Sequence, residues 1–186
     1  MNHKGSKTIE TNKLILRKLS LDDANEMYTN WCSDDDVTKF LTWPTHSNVD
    51  VTKSVLTDWT KEYEKDDYYQ WGIELKDSHE LVGSISVVAQ SDENKTAAIG
   101  YCIGKKWWNQ GITSEALIWV LKFLFEEVGF NRIEAQHDPE NPHSGMVMKK
   151  AGLQYEGTLR KSHLTNRGIT DTCVYSILKE DYDKLK

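Results

Sequence analysis

The stretch from Gly100 to Leu117 constrains the fold of this chain more than any other. Gly100 to Ile103 closes a run of β-branched and aromatic residues, whereas Leu117, Val120, Leu121, Leu124 and Val128 recur at helical spacing, so the segment predicts strand, loop, helix. A helix start leaves unpaired N–H groups and carries about half a positive charge. A short loop presenting the amides of Gln110, Gly111, Ile112 and Thr113 at that point can hold an anion. Gly111 lets the backbone come close to a ligand. Two common phosphate signatures are absent: Gly104-Lys105-Lys106 lacks the Ser/Thr and the upstream glycine of a P-loop, and no GxGxxG occurs.

The rest of the chain supplies a frame for that unit. Lys13 to Leu19 predicts a strand, and Ser20 with Asp23 predicts the start of a helix whose apolar positions are Leu21, Ala24, Met27, Tyr28 and Trp31. Asp34, Asp35 and Asp36 lack the spacing and glycine of a calcium loop and fit a solvated helix start. Val51, Val55, Trp59 and Tyr63 form a stripe on a further helix and are expected in the core. Three strands follow, around Tyr69 to Leu75, Leu81 to Ala89 and Thr96 to Ile103, with short polar connections that favour antiparallel neighbours. The helix over 113–128, stopped by Gly129, is a crossover of the length that joins parallel strands, so Arg132 to His137 is expected parallel to Thr96 to Ile103. Asn141-Pro142 reads as N-cap and first helical residue, and Leu153 to Leu178 as a hairpin turning at Asn166 to Gly168. The order β-α-α-β-β-β-α-β-α-β-β is that of an α+β mixed sheet.

The 186 residues suit one domain over 9–186, with residues 1–8 expected to be a flexible tail. A net charge of −6 disfavours nonspecific binding to nucleic acid and suits a cationic partner. Cys32, Cys102 and Cys173 are scattered and odd in number, which argues against a disulfide framework or zinc knuckle and for a reducing cytoplasm. No apolar run approaches the ~20 residues of a membrane span.

Trp108-Asn109-Gln110-Gly111-Ile112-Thr113, followed by Asn141-Pro-His-Ser144 and Met148-Lys-Lys-Ala-Gly152, resembles the GNAT superfamily of acyl-CoA-dependent N-acetyltransferases, in its RimJ/RimL-like branch. The resemblance covers Ile9 to Leu178. It implies the GNAT fold: a mostly antiparallel sheet with one splayed parallel pair and helices on both faces. It also implies acetyl-CoA as cosubstrate, no metal, and a pyrophosphate cradled by the loop from Trp108 to Ser114. The loop departs from the family pattern in having Trp108 first and Thr113, with a larger side chain than usual, last.

By the same resemblance the backbone of Ile103 faces the thioester carbonyl and pantetheine. Asn141 bonds pantetheine or caps its helix, Ser144 protonates the leaving thiolate or solvates helix amides, and one of Lys149 and Lys150, with Lys149 preferred, faces the phosphates. Trp31, Phe40 and Trp43 fall in the variable acceptor region and line a substrate pocket or pack the core. The branch's glutamate base is replaced by His163; Glu134 and His137 are rivals, and Ala98 excludes a base at another family position. The implied acceptor is a protein N-terminal amine, ribosomal by the branch's habit. A small-molecule amine such as an aminoglycoside or polyamine is the alternative acceptor, and a noncatalytic acyl-CoA sensor the alternative function; in each case the protein is expected to be a monomer or homodimer.

Overall fold

Strands form where the β-branched and aromatic runs predict them. The computed structural model describes residues 1–186 and contains β1 (Ile9–Glu10), β2 (Leu14–Arg17), β3 (Gln70–Leu75), β4 (Leu81–Ser91), β5 (Thr96–Ile103), β6 (Arg132–His137), β7 (Gln154–Thr165) and β8 (Gly168–Leu178). They make one sheet in the order β1-β2-β3-β4-β5-β6-β8-β7. Every neighbouring pair is antiparallel except β5 and β6. The helices are α1 (Ala24–Met27), α2 (Asp35–Thr38), α3 (Val49–Glu62), α4 (Ile112–Phe123), α5 (Pro142–Lys150) and α6 (Lys179–Lys184).

Side chains alternate across a strand, so each sheet face has its own core. One core gathers Ile99, Ile133, Ala135, Tyr175 and Ile177 from the strands under α4 and α5. The other joins Leu19, Leu81 and the half-buried Cys102 to α1, α3 and the π turn Tyr28–Cys32. The crossover through α4 gives the parallel β5–β6 pair its handed return, and Gly129 ends the helical stretch in the left-handed region at φ 93°. No helix is long and apolar enough to cross a membrane.

Four expectations need correction. The helix after Ser20 is broken into a 3-10 turn, α1 and a π turn, because Asp23 turns back to accept from Ser20 N–H at 2.7 Å and the chain widens at Tyr28. On α3 the fully buried positions are Thr52 and Leu56, with Val51 exposed and Val55, Trp59 and Tyr63 at the rim, so the apolar stripe flanks the contact line. The segment before Ile9 is pinned: Asn2 N–H donates to Val128 O at 2.9 Å, His3 Nδ1 lies 2.9 Å from Tyr69 Oη, and Trp71 Nε1 donates to Lys7 O at 2.7 Å. The short β1 and the terminal α6 stand outside the expected order of elements, since neither carries enough residues for a periodic signal.

Arg17 ties β2 to the start of the first helical stretch and to β3. Its guanidinium donates to both oxygens of Asp23, at 2.8 and 3.0 Å, and to Glu74 on the neighbouring strand. Burial pushes both carboxyls up. The hydrogen bonds from Arg17, joined by Ser20 at Asp23 and His79 at Glu74, outweigh it and hold both below the ordinary carboxylate range. Stability from such depressed groups is present above their unfolded values of about 3.9 and 4.3 and is lost as pH falls through the folded ones. Arg17→Met should lower unfolding stability at neutral pH by about 3–5 kcal/mol, because two buried carboxylates lose their partner. Denaturant titrations of both proteins should show the gap narrowing below about pH 4.

Candidate active site

At its end β5 is still paired to β4, with Gly104 N–H donating to Val82 O at 2.8 Å. A Cβ on Gly104 would stand 2.3 Å from the carbonyl oxygen of Asn30, so only glycine lets the π turn close over the strand end. A 3-10 turn over Lys105–Trp107 follows, then Asn109 at φ 62° and Gly111 at φ 79°, both left-handed. Asparagine tolerates that region better than other side chains, and glycine costs nothing there. The two reversals swing the chain into α4 with six consecutive N–H groups, Asn109 to Ser114, that have no acceptor within the chain. Internal bonding resumes at Glu115, whose N–H donates to Gly111 O at 3.0 Å. Four orphan amides are the ordinary number at a helix start; the preceding loop adds the rest, so the positive end of α4 offers donors of the kind that suit an anion.

Side chains around this loop divide cleanly. Thr113 is buried, so a residue larger than usual at this place is accommodated within the fold. Trp108 corrects an expectation: its own N–H is spent on Lys105 O at 3.2 Å, so the row of unpaired amides begins at Asn109. Its indole instead donates to Ile103 O at 3.0 Å. Lys105 and Lys106 are paired with Asp36 and Glu80. On α5 it is Lys150, rather than Lys149, that approaches the loop, with Nζ 3.6 Å from where a Cβ on Gly111 would stand.

Next to the loop the sheet opens. β5 pairs with β6 only from Thr96↔Arg132 to Ile99↔Ala135, while its pairing to β4 runs on to Ile103↔Gly83. In an antiparallel ladder successive residues turn their N–H and C=O to opposite sides. Since Gly104 bonds β4, Ile103 and Tyr101 turn theirs toward β6, where pairing has stopped. The other wall is the start of α5. Asn141 occupies the N-cap position, yet its side chain makes no capping bond; its N–H donates to Asp138 O at 2.7 Å. Ser144 is half-buried, and Tyr101 Oη stands 2.9 Å from its carbonyl oxygen and 3.0 Å from its Oγ.

The second face of the sheet carries the remaining candidates. His137 packs against Gly145 of α5, so its neighbour Gln136 points to the opposite face, where its Nε2 lies 3.3 Å from His163 Nδ1. The structure therefore places His163 and Ser144 on opposite faces of the sheet. Of the rivals, Glu134 is tied to Arg132 at 3.2 Å. His137 donates from Nδ1 to Asp138 O at 2.8 Å and has its Nε2 enclosed without a partner. Trp31 is fully buried, so it belongs to the second core and lines no open pocket. Phe40 and Trp43 are half-buried on a loop that the β7–β8 turn holds. Asn166 donates from its backbone to Leu41 O at 3.0 Å and from its amide to Thr38 O and Trp43 O at 2.8 and 2.7 Å. Arg167 lies over the Phe40 ring, 5.5 Å from its centroid, and reaches the buried Asp138 at 3.1 Å and Glu140.

Known proteins of one family are similar to this chain in sequence and in fold. The profile of the acetyltransferase (GNAT) domain matches residues 13–154. The chain belongs to the GNAT acetyltransferases. The N-acetyltransferase YoaA of Bacillus subtilis is 33% identical over 171 residues, covering 92% of this GNAT chain and 96% of the relative. Ribosomal-protein-serine acetyltransferase of Escherichia coli is 31% identical over 97 residues, or 52% of this chain and 54% of that one. Among solved structures, a GNAT acetyltransferase from Bacillus anthracis superposes with a TM-score of 0.82 at 29% identity, covering 94% of this chain and 99% of that one.

Three residues of this GNAT chain carry no sequence signal for the places they take. Lys150 adjoins Lys149, and nothing in the spacing decides between them. Tyr101 has the pattern of an ordinary strand residue and Arg167 that of a turn; only tertiary structure brings either to the site. Arg167 faces Asp138 and Glu140, which hold its guanidinium above its ordinary value, Glu140 first. Arg167→Ala should leave Asp138 buried without its cation and loosen the Phe40 loop. Limited proteolysis should then cut between residues 38 and 46 faster than in the parent, with the rest of the digest unchanged.

Proposed function

We propose that this GNAT chain transfers the acetyl group of acetyl-CoA to the α-amine of a protein N-terminus, the amine attacking the thioester while donor and acceptor are both bound. The donor half rests on one observation, the row of six unpaired amides from Asn109 to Ser114 beside Lys150. A diphosphate is matched by that set: an anion with many acceptor oxygens meets many donors, a helix dipole and an ammonium. Acetyl-CoA supplies an activated acyl group on a thiol that can leave.

From the loop the donor's chain continues along β5, where Ile103 turns its backbone toward the gap and Asn141 offers an uncommitted amide. Ser144 Oγ stands on the opposite wall as the proton source for the departing sulfur. On the other face His163, held near Gln136, is the candidate base, and Phe40 and Trp43 border the acceptor's approach. An α-amine has a pKa of about 7.7–8.0, so freeing it near neutrality costs only about 1 kcal/mol, whereas a lysine at about 10.4 costs roughly 4–5 kcal/mol. A site whose carboxylates Asp138 and Glu134 are already held by Arg167 and Arg132 suits the first far better than the second. The likeness to a ribosomal-protein-serine acetyltransferase of Escherichia coli supports the same choice.

Thiol release from acetyl-CoA should be measured with peptides beginning in serine, alanine and methionine and with an aminoglycoside and a polyamine. Turnover is expected with an N-terminal peptide; turnover confined to the small amines would move the acceptor to that class. Gly111→Asp should weaken acetyl-CoA binding by more than about tenfold in calorimetry, through a carboxylate facing the phosphates and a left-handed residue that has gained a side chain. Lys150→Ala should weaken it severalfold and flatten its salt dependence, and a larger effect from Lys149→Ala would return that role to Lys149.

A further inference from the structure

The buried hydroxyl of Tyr101 has one proton and two oxygens of a single residue within reach. Ser144 O, at 2.9 Å, can only accept. Ser144 Oγ, at 3.0 Å, can accept or donate. Two arrangements of the hydroxyl protons are open to the pair. In the first, Tyr101 donates to the Ser144 carbonyl and Ser144 Oγ–H donates inward to Tyr101 Oη, which leaves the serine proton turned away from the gap. In the second, Tyr101 donates to Ser144 Oγ and the serine proton is released outward. Only two hydroxyl rotations separate them.

We propose that Tyr101 is a positioning residue for acetyl transfer, setting through its hydroxyl whether the Ser144 proton faces the departing sulfur. The inference rests on the reading of Ser144 given above. Tyr101 is well placed to do so, because it stands on β5 where β6 has left, its backbone faces the same gap, and its ring reaches across to the start of α5. Burial pushes its phenol far above the ordinary value, only partly opposed by the bond to Ser144, so it keeps its proton at any working pH.

In the transfer, the amine nitrogen bonds to the carbonyl carbon and the C–S bond breaks with its electron pair on sulfur. Sulfur takes the proton of Ser144 Oγ, and the proton shed by the amine returns to that oxygen through solvent. Tyr101 stays neutral throughout and donates to Ser144 Oγ while that oxygen is short of its proton, which is when a hydrogen bond to it is worth most. No other side chain is within hydrogen-bonding distance of Ser144 Oγ.

The test is a double-mutant cycle of Tyr101→Phe and Ser144→Ala, read as thiol release from acetyl-CoA. A serine-initiated peptide serves as one acceptor and hydroxylamine as another that needs no shaped pocket. Tyr101→Phe keeps the ring, so the melting temperature and acetyl-CoA affinity should stay near the parent's while kcat falls about tenfold or more. In the Ser144→Ala background the same change should do nothing further. An unchanged kcat for Tyr101→Phe beside a slow Ser144→Ala would overturn the inference and spare Ser144. Equal losses in both backgrounds would make Tyr101 merely structural, and an unimpaired Ser144→Ala would remove the serine and Tyr101's role with it.

Discussion

A parallel ladder that stops at Ile99 and Ala135 governs the whole arrangement. β5 cannot follow both neighbours at once: it stays with β4 to Ile103 and gives up β6, and that choice leaves backbone groups pointing into a gap. Unpaired backbone inside a sheet is costly unless something else bonds it. Part of the need is met by the Trp108 indole on Ile103 O, which also anchors the loop to the strand. What is left over is a strip of donors and acceptors running from the strand into the helix start, shaped for a long polar ligand with an anionic end.

The sheet then works as a partition. α4 and α5 present the unpaired amides and Ser144 on one side, while His163, Phe40 and Trp43 lie on the other, and β6 parts from β5 between them. Because alternate residues of a strand face opposite ways, neighbours such as Gln136 and His137 serve different compartments. Under the proposed function, a thioester held on one side and an amine on the other would meet without competing for room.

Much of this is legible in the residues. The strand-loop-helix at Gly100 to Leu117 announces itself by a change of periodicity, and the helix-length crossover fixes the parallel pair, because local signals and chain connectivity suffice for both. Side-chain detail is less accessible. Asn141 before Pro142 has the spelling of a cap, yet its side chain makes no capping bond. Trp31 shares its helical face with core residues and is sealed among them, a matter of packing that spacing cannot distinguish from a pocket wall. Tyr101 and Arg167 gain their meaning from partners that lie 43 and 29 residues away along the chain. Residues 2–7 look like a tail because their composition is polar, but His3 and Ser6 satisfy buried partners on and beside β3.

The grip of Asn166 on three carbonyls of the Thr38 to Trp43 loop has a bearing on how acceptor preference diversifies among related chains. Backbone carbonyls carry no side-chain identity, so the sequence between 38 and 43 is at liberty to drift while the anchoring persists. The length of that loop and the length of the distant hairpin, by contrast, are locked to each other. Grafting one relative's loop onto another would demand that its turn travel with it, making the pair a single module of exchange.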